Sequence, residues 1–408
     1  MTGMARTLAY GALGLPLAFV ALPLYVHVPH LYASVTGLGL AALGGLLLLA
    51  RLFDAGIDPL LGWLADRVPR PRMIALALLP LGLGFLALMH PPASGAGLWL
   101  IVALIATYTG YSAVAVAYQA MGADLGADSG ERTRLTAARE GLGLFGVLLA
   151  AALPTVLAAN MPEGLARLAW GFLPLLAVAA WLTLAVRPNV SGPPPAGASL
   201  WPALRAALAS NATRRLLLVF VANGIAAALP ATLVLFFVAD VLQAGAYSGA
   251  FLALYFVAGV AGLPLWLRLA ARIGRVRAWL IGMALAGAAF VWAFLLGPGD
   301  LIPFALVCLA TGLALGADLT FPAAMAADLG EAQGQPGAVF GLYNFVAKLN
   351  LALAAGLALP LLGALGYRPG EAEGLAALSA VYALLPLAFK AMAAVLLWRW
   401  APILEEVK

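Results

Sequence analysis

The chain has 408 residues, 64% of them hydrophobic and 10% charged, with a formal net charge of +5. A soluble domain of this length carries roughly a quarter of its residues charged, so water is excluded as its main solvent. The single cysteine, Cys308, excludes a disulfide framework and a Cys/His metal set.

Twelve segments hold the roughly 20 apolar residues that a helix needs to cross about 30 Å of hydrocarbon. In chain order they are 8–31, 37–65, 73–91, 98–123, 139–160, 166–187, 214–240, 247–271, 278–297, 301–327, 337–366 and 374–400. The first, from Tyr10 to Tyr32, is too long and too Pro-interrupted for a signal-peptide core and is predicted as a membrane helix. Glycine and proline inside these segments fit a bundle, where neighbouring helices satisfy a loosened backbone. The predicted class is therefore an all-α, polytopic membrane protein.

With the spans laid down, basic residues gather on one side: Arg6, Arg67, Arg70, Arg72, Arg132, Arg134, Arg139, Arg187, Arg205, Arg214, Arg215, Arg268, Arg272, Arg275, Arg277, Arg399 and Lys408. Only Arg167 and Arg368 fall on the other, which predicts a multi-pass plasma membrane protein, bacterial inner membrane, with both termini cytoplasmic. This topology accounts for the net charge without nucleic-acid binding. Arg51, Lys348 and Lys390 remain inside spans.

The one long connection, with Val190-Ser-Gly-Pro-Pro-Pro-Ala-Gly197, predicts an N-terminal six-helix half over 1–187, a cytoplasmic linker over 188–213 and a C-terminal half over 214–408. An offset of 205 residues superposes Pro59 on Pro264, Arg67 on Arg272, Arg70 on Arg275 and Arg72 on Arg277. Two pseudo-symmetric six-helix halves are the architecture of the major facilitator fold, in which a central site is exposed alternately to the two sides. The same offset sets Arg51 against Phe256, Asp54 against Gly259 and Asp58 against Leu263. The second span thus carries a charged stripe that its repeat lacks. Spacings of three and four put the three side chains on one helical face, and carboxylates inside a membrane must face the bundle or a wet cavity.

The run Arg51-Leu-Phe-Asp54-Ala-Gly-Ile-Asp58-Pro59-Leu-Leu-Gly62-Trp-Leu-Ala-Asp66-Arg67 resembles the signature of the glycoside-pentoside-hexuronide cation symporters. That family includes melibiose permease and is related to sodium-dependent lysophosphatidylcholine transporters. Asp128-Ser-Gly-Glu131-Arg132, Pro322-Ala-Ala-Met325-Ala-Ala-Asp328 and Lys348 extend the resemblance over most of the chain. It implies a secondary active transporter that couples H+ or Na+ to symport of a small organic solute. The coupling cation would sit at Asp54 and Asp58, with Ser112 near the place of a family hydroxyl. Ile57 replaces a family asparagine, which thins the oxygen shell and tilts the reading towards protons. Ala18 and Ala115 stand where the family's sugar transporters hold acids on helices one and four, so a less hydroxylated, anionic or amphipathic substrate is expected. The alternative is a lysophospholipid or other amphiphile transporter or flippase, or a proton-coupled exporter.

Lys348, deep in its span, needs an acidic or anionic partner; Asp54, Asp58 and Asp318 are the candidates. Arg51, Asn344, Tyr111, Tyr118 and Asp318 complete the expected substrate and coupling set, with Tyr108, Tyr111 and Tyr118 forming a stripe on helix four. Lys390 is read either as snorkelling or as a partner for Asp318. Asp66, Arg67, Glu131, Arg132, Arg139 and Glu140 are expected to gate the arginine-rich ends. No cluster of nucleophile, base and orienter and no Gly-rich phosphate loop is present, so an enzyme is not expected. No cofactor beyond the coupling ion is implied, and a monomer in the lipid bilayer, with a small-molecule or amphiphilic substrate, is the expected working form.

Overall fold

The computed structural model describes residues 3–36, 38, 40–186, 199–368, 370, 371 and 373–405. The Val190–Gly197 stretch of the expected linker, Arg187 and Lys408 lie outside them. Among the described residues every regular element is helical.

The first expected span is built in pieces: α1 (Gly3–Gly11), α2 (Gly14–Leu22), a π-helical turn (Pro23–His27) and α3 (Val28–Val35). Pro23, without an N–H, opens the π turn, where the hydrogen-bond register widens by one residue. The break between α1 and α2 is patched from outside. Thr183 Oγ1 accepts from the Leu13 amide at 3.2 Å and donates to the Ala9 carbonyl at 3.0 Å, so neither group is orphaned in the membrane. Next come α4 (Leu40–Ala65), α5 (Arg70–Leu88), α6 (Ala96–Leu125), α7 (Ser129–Leu157), α8 (Met161–Leu184) and the short α9 (Leu200–Ala209). After them follow α10 (Asn211–Phe236) with a second π turn (Phe237–Val241), a 3-10 turn (Gly245–Tyr247), α11 (Ser248–Ile273), α12 (Arg275–Phe294), α13 (Leu301–Ala332), α14 (Pro336–Ala364) and α15 (Leu375–Glu405).

Among the described residues, eleven helical stretches are long and apolar enough to cross a membrane. The twelfth expected span is α4, whose 26 residues reach about 39 Å at 1.5 Å per residue. On α5, Leu76, Leu79 and Leu83 are 61–69% exposed on one face, as a lipid-facing surface requires.

The chain forms two compact units. The first comprises 1–208 together with 326–345, and the second 209–325 together with 346–408, so the end of α13 and the start of α14 belong with the first unit rather than following the sequence halves. In the first unit α5 lies on α6, α4 on α6 and α2 on α7. Small residues permit these approaches: a Cβ at Gly14 would fall on the Arg139 carbonyl oxygen, and one at Gly146 on that of Leu15. In the second unit α15 lies against α10 and α12. Its core holds Phe237 stacked on Tyr382, ring centroids 4.1 Å apart and planes 12° apart, with Phe304 beside them. Contacts of this density hold helices together in lipid, where apolar burial alone drives little.

Candidate ion and solute site

Asp54 and Asp58 project from one face of α4 and are 3% and 0% exposed. The neighbouring α6 brings Ser112, 1% exposed, against the first of them: its Oγ donates to Asp54 Oδ1 at 2.8 Å. Tyr111, one residue earlier, stands within electrostatic reach of both carboxylates, and Arg51 hydrogen-bonds with Tyr108 of the same helix. Pro59 follows Asp58 inside α4 and cannot donate to the Ala55 carbonyl, which leaves a backbone oxygen without its usual helical donor beside the two acids. Carboxylates and a hydroxyl are hard oxygen donors, of the kind that suits a monovalent cation or a proton.

A cavity of about 150 Å³ opens in the same unit, lined by Ala18, Tyr111, Ala115, Gln119, Arg139 and Glu140 among others. Arg139 was expected at the gate, but the structure places it here, 6% exposed, with its guanidinium on Glu140 Oε1 at 2.5 and 3.0 Å. The reason is helical phase: ten and eleven residues past the start of α7 at Ser129, Arg139 and Glu140 have turned from the arginine-rich end onto the face that meets α2. Ala18 and Ala115 border this cavity, so a charge pair from α7 supplies the polarity that those two positions lack. Asn344 donates to Gln119 at 2.9 Å and braces the lining. Tyr118 borders the cavity but is 0% exposed. Its hydroxyl donates to the Tyr10 carbonyl at 2.5 Å, and the two rings lie 4.7 Å apart, which makes packing its main role.

The arginine-rich end is a clasp. Asp66 Oδ1 and Oδ2 accept the Gly337 and Ala338 amides at 2.7 and 2.8 Å at the start of α14. Burial pushes the Asp66 carboxyl above the usual range, opposed by those two donors and by Arg70. Arg70 also pairs with Asp124, and Arg132 reaches Asp328 at 3.0 Å. Glu131 has two tasks: it accepts the Ala127 amide in the capping turn opened by Asp128, and it holds Arg6 at 2.9 Å. Arg67, expected to take part, instead lies over the Trp63 ring at 4.1 Å and donates to its carbonyl. Asp124 and Asp328 escaped the 205-residue comparison. They occupy matched runs, Met121-Gly-Ala-Asp124-Leu-Gly126 and Met325-Ala-Ala-Asp328-Leu-Gly330, offset by 204.

In the second unit the structure settles the partner of Asp318. Lys390 Nζ lies 2.6 Å from its Oδ2 and donates to Asn223 Oδ1 at 2.8 Å, while Trp279 Nε1 donates to Asp318 Oδ1 at 2.8 Å. Lys390 is 3% exposed, so it does not snorkel. Lys348 is half-buried on α14 in this unit, and Asp318, one of the three acids expected to partner it, pairs with Lys390. Asn223 was the polar residue that sequence reasoning did not assign to a site, and Glu140, expected with Arg139 at the gate, lines the cavity instead. Asn223 is a polar residue deep in an apolar run, a signal that could have found it.

This fold, with buried carboxylates inside a helical membrane bundle, defines a major facilitator transporter. Solved structures agree over nearly the whole chain: a bacterial homologue of the iron transporter ferroportin (TM-score 0.73, 16% identity, 98% of this chain and 99% of that one), the E. coli fucose:proton symporter (0.71, 13%, 96% and 97%) and a human organic anion transporter (0.66, 17%, 96% and 100%). At such identities the likeness is one of fold. The family model described as MFS/sugar transport protein matches residues 7–404, and the chain belongs to that family of transporters, which are not enzymes. An uncharacterized symporter of Synechocystis sp. is 28% identical over 171 residues, 38% of this chain; the match spans about a third (31%) of that relative's length.

Proposed function

We propose that the protein is a secondary active transporter of the melibiose permease-like branch, coupling H+ or Na+ entry at Asp54 and Asp58 to symport of a small polar solute. The observation that carries this reading is the pair of carboxylates buried on one face of α4 with the Ser112 hydroxyl on Asp54. Two ionised acids in a closed, dry site oppose occlusion by several kcal/mol, at order of magnitude. A cation removes that cost, and the filled carrier then changes its access. Tyr111 connects this site to the cavity, since it lines the one and feels the charge of the other. The cavity's Arg139, Glu140 and Gln119 offer charge-assisted hydrogen bonds. That charged lining supports a hydrophilic cargo over a lysolipid. Its arginine distribution supports a multi-pass inner-membrane carrier with both termini cytoplasmic, working as a monomer.

The test is a thermal-shift panel of sugars, uronides, small organic anions and lysolipids on purified protein, with and without Na+ at two pH values. Uptake into proteoliposomes by Asp58→Asn follows. A polar solute that stabilises only with Na+ or at low pH, and loss of cation-driven uptake in Asp58→Asn, are expected. Unchanged cation dependence in that variant would overturn the assignment.

A further inference from the structure

The Asp318 cluster has no counterpart at the matched position of the first unit. With the matched Met121 and Met325 runs in register, Asp318 corresponds to Val114, which is fully buried apolar core in the first unit. A helix at this place therefore packs well without a charge, and a buried ion pair is often no more stable than a hydrophobic replacement. The chemistry around Asp318 is nonetheless complete. Its Oδ1 is held by Trp279 of α12, its Oδ2 receives Lys390 of α15 at 2.6 Å, and Asn223 of α10 turns its carbonyl oxygen to the same ammonium at 2.8 Å. Tyr255 of α11 lies within electrostatic reach of the carboxylate. A carboxylate oxygen and an amide oxygen converging on one positive centre are the donor set of a monovalent cation site. The centre here is an ammonium at the end of a four-carbon stem.

We infer that Asp318 and Asn223 form a monovalent-cation site that is permanently filled by the Lys390 ammonium, a tethered ion in the second unit. That unit then keeps its buried carboxylate neutralised at any external ion concentration, and the transport cycle takes up its cation through the first unit alone. The site itself stands on the second unit's geometry; only its contrast with a mobile-ion site rests on the function proposed for Asp54 and Asp58.

Truncating the tether tests this. Full-length protein carrying Lys390→Ala is to be melted in equal concentrations of propylammonium chloride and choline chloride, beside wild type and the double variant Asp318→Asn/Lys390→Ala. The expected result is a lowered Tm for Lys390→Ala that recovers in propylammonium and not in choline, with no ammonium-specific shift in wild type or the double variant. An equal response of the single and double variants, or no loss in the single one, would overturn the inference. If Lys390→Ala does not fold, Lys390→Met keeps the stem volume and removes the charge. It should melt below wild type, and Asp318→Asn/Lys390→Met should recover the difference; equal melting of the two would again refute a tethered ion. An unchanged Asp58→Asn transporter would sink the proposed function while leaving these melting results intact.

Discussion

The two compact units each bury acid in the membrane and deal with it in opposite ways. In the first, two carboxylates share the face of α4, with a serine hydroxyl on one. In the second, one carboxylate meets one ammonium, and an amide and an indole complete the shell. A buried charge must be neutralised. In the second unit Lys390 does so; in the first, the function proposed above gives part of the task to a coupling ion at Asp54 and Asp58. On that proposal, the difference teaches that a buried acid can be neutralised either by an ammonium tethered to the chain or by an exchangeable ion.

The comparison breaks most visibly if Asp58→Asn retains cation-driven uptake; the expected outcome is its loss, read in proteoliposomes with imposed Na+ and pH gradients. Next in size is Asp318→Asn alone, which leaves Lys390 charged and unmatched. It should cost about 3–5 kcal/mol, measured by denaturation in detergent, while cation dependence of ligand binding in the surviving fold stays as in wild type. Asp66→Ala strips the acceptor from the Gly337 and Ala338 amides and should cost roughly 1–3 kcal/mol for each orphaned N–H, seen as a lower Tm and faster proteolysis near the start of α14. The smallest effect belongs to Ser112→Ala. Losing one hydrogen bond of about 0.5–1.5 kcal/mol should weaken the coupling cation by up to about tenfold in a Na+ or proton titration, with no change at Asp318.

Much of the fold was legible because a bilayer demands about 20 apolar residues per crossing. Each of the expected spans is found as helix, with the first broken at Ala12 and Leu13, where Thr183 replaces the missing intrahelical partners. Asp54 and Asp58 were legible as buried because their spacing and the cost of exposing charge to lipid admit one answer. Arg139 was misplaced at the gate because a positive-inside count sorts residues by side and ignores rotation about a helix. Arg67 was misplaced for another reason: its guanidinium is satisfied by Trp63, four residues back in its own chain.

By itself the sequence determined the helical, membrane-spanning class and the charged face of α4, since these follow from local composition and periodicity, while the major facilitator family was read from the resemblance of its motifs. Only the tertiary structure decided that Ser112 meets Asp54 across 58 positions, and that Lys390 rather than Lys348 meets Asp318, across 72. Pairing at such distances depends on which helices become neighbours and how each is rotated, and those are properties of the packed bundle that no single helix carries.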